Sequence, residues 1–178
     1  MNQLEMFNLA LSLHDREITQ ADLDSQTPSK EVRLCKIYQP VALIKALREM
    51  DWSFFTQVLA IDLSDDVPGW GYRHGYLLPD NLFKHVPISD EPFQIAGGRY
   101  YTDASEPTLY GIFKNCFDTM EHPDEFDMLV AYAISYEICG ILSPKSGLDQ
   151  LALQQYSWIL AALTTAEVHN NYRADYRG

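Results

Sequence analysis

Catalysis and metal binding need titratable or ligating side chains at spacings that bring them together. The five histidines, His14, His74, His85, His122 and His169, fall in separate segments, and none has a ligand-spaced partner on one helix face. HExxH, the phosphate-binding P-loop and GxGxxG are all absent. Asp65 and Asp66 could hold a cation, but two adjacent aspartates in a turn more often accept hydrogen bonds from their own backbone. Ser, His and Asp occur without a spacing that links them as a triad. Cys35, Cys116 and Cys139 are odd in number and form no CxxC pair, which reads as buried reduced thiols in a reducing compartment. No catalytic, cofactor-binding or metal-binding residue is therefore assigned, and a non-enzymatic role is expected.

The aromatic residues are more telling. Trp70, Tyr72, Tyr76, Tyr100, Tyr101 and Tyr110 crowd the middle of the chain, either as the core of a small sheet or as an interface, since Tyr and Trp join a large apolar area to a polar tip. At the C-terminus Tyr172, Arg173, Tyr176 and Arg177 stand on an otherwise acidic chain, in a stretch, 169–178, that shows no helical stripe and reads as a flexible tail. Composition makes these four residues a candidate docking hook that orders on a partner.

The elements that must position these groups follow from periodicity and punctuation. Leu4, Phe7 and Leu11 suit a short first helix ending near His14-Asp15, and 18–27 reads as a polar loop. Thr27-Pro28 starts a second helix, in which Leu34, Ile37, Val41, Ile44 and Leu47 form a stripe expected to face a core. Pro40 should kink that helix. From Phe54 to Ile61 a strand is predicted. Between Pro68 and Pro107, five of the nine prolines and five of the nine glycines forbid a long helix. Short strands are expected there at 72–78, 83–88, 93–96, 100–102 and 108–113, with a hairpin turn at Gly97-Gly98. Pro123-Asp124-Glu125 opens a third helix ending at Ser143-Pro144, and Ser146 caps a fourth running to about Val168. The predicted fold is mainly α: an antiparallel bundle of about four helices (1–52 and 120–168) carrying a small antiparallel β insert (about 54–113), all in one domain.

Charge narrows the partners. Thirteen Lys and Arg against 25 Asp and Glu leave a net charge of −12, and no basic tract is present to neutralise phosphates, so tight direct binding to nucleic acid is not expected. No window approaches the roughly 20 apolar residues of a membrane span.

A series of short words in fixed order carries a family likeness: Asn8-Leu9-Ala10-Leu11, then Tyr38, then the junction Trp52-Ser53-Phe54. Pro68-Gly69-Trp70-Gly71-Tyr72, Leu78-Pro79-Asp80-Asn81, Gly98-Arg99-Tyr100-Tyr101-Thr102-Asp103, Leu109-Tyr110 and Phe126-Asp127 follow. In order and spacing they resemble the head-to-tail adaptors of short-tailed bacteriophages, the tail tubular protein A or gatekeeper family. The chain departs from that pattern at His14-Asp15, where the family usually turns on glycine. The resemblance implies a virion protein at the head-to-tail junction, assembled in the host cytoplasm as a dodecameric homo-oligomeric ring. Its implied partners are the portal ring, the tail nozzle protein and other copies of itself, with tail fibres a further candidate. DNA would pass through the channel without specific binding during ejection, aided by an acidic lumen. Trp52, Phe54, Trp70 and Tyr72 become packing or interface residues, with Trp52 as a hinge between helical and β parts; once buried, Trp52→Ala should cost about 3–5 kcal/mol in a denaturant titration. Two other readings stay open: a head-completion connector of a long-tailed phage, and an intracellular module that binds a peptide or small ligand on its aromatic β face.

Overall fold

The computed structural model describes residues 1–64, 71–88, 90–144 and 147–175, with side chains described to residue 168. The chain divides into two compact units, Met1–Met50 with Pro123–Gly178, and Asp51–His122.

The first unit is helical. Helix α1 (Gln3–Ser12) is opened by a capping box in which Asn2 and Glu5 satisfy each other's backbone N–H groups. Past its end Asp15 takes a positive φ of 53°, in the left-handed region that Asp tolerates better than most residues. A one-turn helix, α2 (Gln20–Leu23), interrupts the expected loop, opened by a reciprocal Thr19–Asp22 capping box. Helix α3 (Lys30–Glu49) is capped by Ser29 and runs unbroken through Pro40. Helix α5 (Asp124–Leu142) is the centre of the unit: Phe126, Leu129, Val130, Ala131, Ala133, Ile134, Ile138 and Cys139 are buried around it, and α1, α3 and α6 (Leu148–Asp175) pack against it. A helix apolar on so many sides is stable only when covered on as many.

The second unit begins with a 3-10 turn at Ser53–Phe55 and contains, among the described residues, seven strands: β1 (Gln57–Val58), β2 (Asp62–Leu63), β3 (His74–Leu77), β4 (Leu82–Val86), β5 (Phe93–Ala96), β6 (Arg99–Thr102) and β7 (Tyr110–Phe113). A short helix, α4 (Cys116–Thr119), follows. One sheet has the order β1-β7-β4, the other β2-β3-β6-β5, and every pairing is antiparallel. Gly97 and Gly98, both with positive φ (58° and 73°), make the two-residue β5–β6 turn that matches strand twist. Leu59, Tyr76, Tyr100 and Leu109 form the centre of this unit's core, with Leu82, Phe93 and Phe113 packed against it.

Three expectations are corrected. The fold is mixed α/β: among the described residues, 51% are helical, and there are six helices and seven strands in two sheets; it is not mainly α with a small insert. The physical reason is that the β region closes a hydrophobic core of its own. The single strand predicted from Phe54 to Ile61 is instead a 3-10 turn followed by β1, with β2 beginning only at Asp62. Helix α6 passes Val168 and continues to Asp175, because no Pro or Gly interrupts it, so the stretch read as a tail is helical in backbone to that point. Ser146 lies outside the described residues.

Candidate functional site

The α3 stripe faces the wrong way for a core. Ile37, Val41 and Ile44 are 64%, 50% and 41% exposed, whereas Val32, Cys35, Ala42 and Ala46 are fully buried. At 100° per residue the two sets stand on opposite sides of the helix. Small side chains on the inner side permit close approach to a neighbouring helix, and the large aliphatic ones are left outside. Of the predicted stripe only Leu47 is buried, and Leu34 is half-buried. Basic groups surround the ridge: Lys30, Arg33, Lys36 and Arg48 are exposed, and Lys45 lies 4.9 Å over the rings of both Tyr136 and Tyr156.

Helix α6 shows a second uncovered surface. Trp158 is 61% exposed, and Leu151, Leu153 and Val168 are also open. Its inner side carries Ala152, Tyr156 and Leu163; the Tyr156 hydroxyl donates to Glu49 Oε1 at 2.7 Å, and burial with that carboxylate beside it drives the phenol's pKa far up. Glu167 is buried, and its Oε2 has no hydrogen-bond partner among the described residues.

The polar cluster closest to a catalytic arrangement centres on His14. Its Nδ1 is 3.2 Å from Ser143 Oγ, and its Nε2 is 3.4 Å from Ser135 Oγ and 3.8 Å from Cys139 Sγ. A cleft of about 320 Å³ borders Cys139 and Ser143. Burial holds the imidazole below its ordinary pKa and, with Asp149 adding to it, pushes the Cys139 thiol up. A thiol kept protonated is a poor nucleophile, so the cluster ties the end of α1 to α5 by hydrogen bonds and packing. At the other end of α5 the buried Asp127 accepts from the Met1 amine at 2.9 Å. Among the described residues no group of three or more His, Cys, Asp or Glu is placed to hold a metal.

The proposed packing residues separate. Trp52 is fully buried and stacks on Phe54 with ring centres 5.5 Å apart; Phe54 meets Phe55 edge-on at 4.7 Å. Tyr72 is half-buried, and Trp70 lies outside the described residues. Tyr172 and Arg173 fall within the α6 backbone, but their side chains, like the whole of Tyr176 and Arg177, lie outside the described residues. Asp65 and Asp66 lie outside them as well. Within the β unit Tyr76 and Tyr100 belong to the core; Phe93 stacks on Tyr100 at 5.1 Å and His85 packs on both, at 4.9 and 5.3 Å. Sequence reasoning missed the two exposed helix faces. The available signal was the series Cys35, Ala42 and Ala46, a second apolar side that competes with the larger one.

Among the described residues no helix is long and apolar enough to cross a membrane. In comparisons with known proteins, no family model and no curated protein matches the chain.

Proposed function

We propose that this chain is a subunit of a ring-forming head-to-tail adaptor in a bacteriophage virion, which docks on the portal, receives the tail nozzle beneath and extends the DNA-exit channel. The observation that carries this reading is the exposed ridge of Ile37, Val41 and Ile44, set opposite an equally apolar buried side. Exposed branched aliphatics in a row on one helix mark a protein interface. The ordered likeness from Asn8 to Asp127 supplies the kind of assembly, and a net charge of −12 suits a channel past which DNA slides without adhering. The aromatic residues favour this over a ligand-binding module, because Tyr76 and Tyr100 fill the core of the β unit.

Electron microscopy of the purified chain mixed with the portal ring of the same genome tests the reading. The expected image is an added ring coaxial with the portal. Portal particles without added density, at saturating concentrations of the chain, contradict it.

A further inference from the structure

Charge is distributed unevenly along this chain, in a way that selects a partner for the α3 ridge. Helix α3 has five basic residues (Lys30, Arg33, Lys36, Lys45, Arg48) and two acidic ones (Glu31, Glu49), a net +3. The rest of the chain then has 13 − 5 = 8 basic and 25 − 2 = 23 acidic residues, a net −15. Two α3 ridges packed on each other would bring like charges together along their length, so a two-fold contact of ridge on ridge is disfavoured. The ridge calls for an apolar surface without cations.

Helix α6 has such a surface. From Gln150 to Ala166 it contains no charged residue; before this stretch stands the exposed Asp149, and after it the buried Glu167. Leu151 and Trp158, at i and i+7, share one side and are 37% and 61% exposed. A helix facing only water ordinarily has charges on its outer side. Trp is also the residue most often found as an interface anchor.

We infer that the α3 ridge of one copy docks on the Leu151–Trp158 side of α6 in the next copy, a head-to-tail contact between second copies of this chain. Donor and acceptor surfaces differ, so a pair keeps one donor and one acceptor free, and the contact propagates until it closes into a ring. This rests on the ring-forming reading above, and its test is chosen so that the two fail separately.

The test uses two full-length variants at exposed positions, Val41→Arg, which spoils the donor, and Trp158→Arg, which spoils the acceptor. Circular dichroism establishes that each is folded. In sedimentation velocity the wild-type chain is expected to associate, and each variant alone to do so roughly 30-fold or more weakly. Mixed together they restore one good contact, the Val41 ridge of one variant on the Trp158 side of the other, and should give 1:1 dimers and nothing larger. A mixture that stays monomeric, a variant that associates like wild type, or a wild-type chain monomeric at about 100 μM overturns the pairing. A portal-bound ring that forms equally well from both variants overturns it too, while leaving the adaptor reading intact. Dimers rescued by mixing, from a chain that ignores the portal, uphold the pairing and defeat the adaptor reading.

Discussion

At the scale of single residues, the β unit is set by a few positions with little tolerance. Gly111, on β7, is one: a Cβ there would lie 2.6 Å from Leu82 Cδ1, 2.9 Å from Leu59 Cδ2 and 2.9 Å from the Lys84 carbonyl oxygen. The two leucines have rotamers to move into, but the Lys84 backbone belongs to β4, the paired neighbour strand. Gly111→Ala should therefore lower stability by about 1–3 kcal/mol, read as a shift in the urea midpoint with the slope unchanged. His85 is the pH-sensitive position. Burial among Phe93 and Tyr100 lowers its pKa below the ordinary 6.5, against a smaller opposing pull from Asp51. An imidazole depressed in the folded state binds its proton more readily when unfolded, so its stabilising effect is complete above 6.5 and is lost as pH falls through that value towards the folded pKa. Melting the protein between about pH 7.5 and about pH 5.5 should show His85→Phe losing less stability on acidification than wild type. An unchanged slope would place the acid sensitivity elsewhere, with His14 the next group to examine.

At the scale of elements, what could be read in advance was whatever depends on a local stereochemical demand. Gly97-Gly98 announces a two-residue hairpin because both φ angles must be positive, and Pro123 with the acids after it announces the start of α5. The choice of face on α3 was not legible, because it depends on what packs against the helix. Five large aliphatics at helical spacing outweigh Cys35, Ala42 and Ala46 in any sequence-based sum, yet the smaller set is buried. Pro40 is exposed, so the backbone carbonyl it leaves unpaired can be hydrated, and the helix survives. The Thr19–Asp22 box that opens α2 was visible in the residues, but the helix is too short to register as periodicity. For the same reason the candidate site emerged only from the structure: an exposed apolar row is a finding about where the rest of the fold is not. A pair of substitutions separates the two sides of α3. Ile44→Ser, on the outer side, should change stability by less than about 0.5 kcal/mol, while Ala46→Leu, at a fully buried position, should cost about 1–3 kcal/mol by overpacking. Equal effects in chemical denaturation would mean the face assignment is wrong.

At the scale of the whole molecule, the chain consists of two units with separate cores and different surfaces. In the β unit Tyr76 and Tyr100 are spent on the core, with Phe93 packed against them. The helical unit leaves Ile37, Val41, Ile44, Leu151 and Trp158 open to solvent. An acidic chain that is nevertheless basic along one helix, and apolar on two outward sides, has a surface consistent with the subunit role proposed above. Under the proposed function, the portal ring is the partner on which copies of the chain would be counted. The most direct test of the central claim is the mass of the particle formed when the purified chain is added in excess to the portal ring. The proposal predicts a single stable increment equal to a whole ring of chains. A portal mass that stays unchanged, or rises by scattered single chains without a ring-sized step, would contradict it.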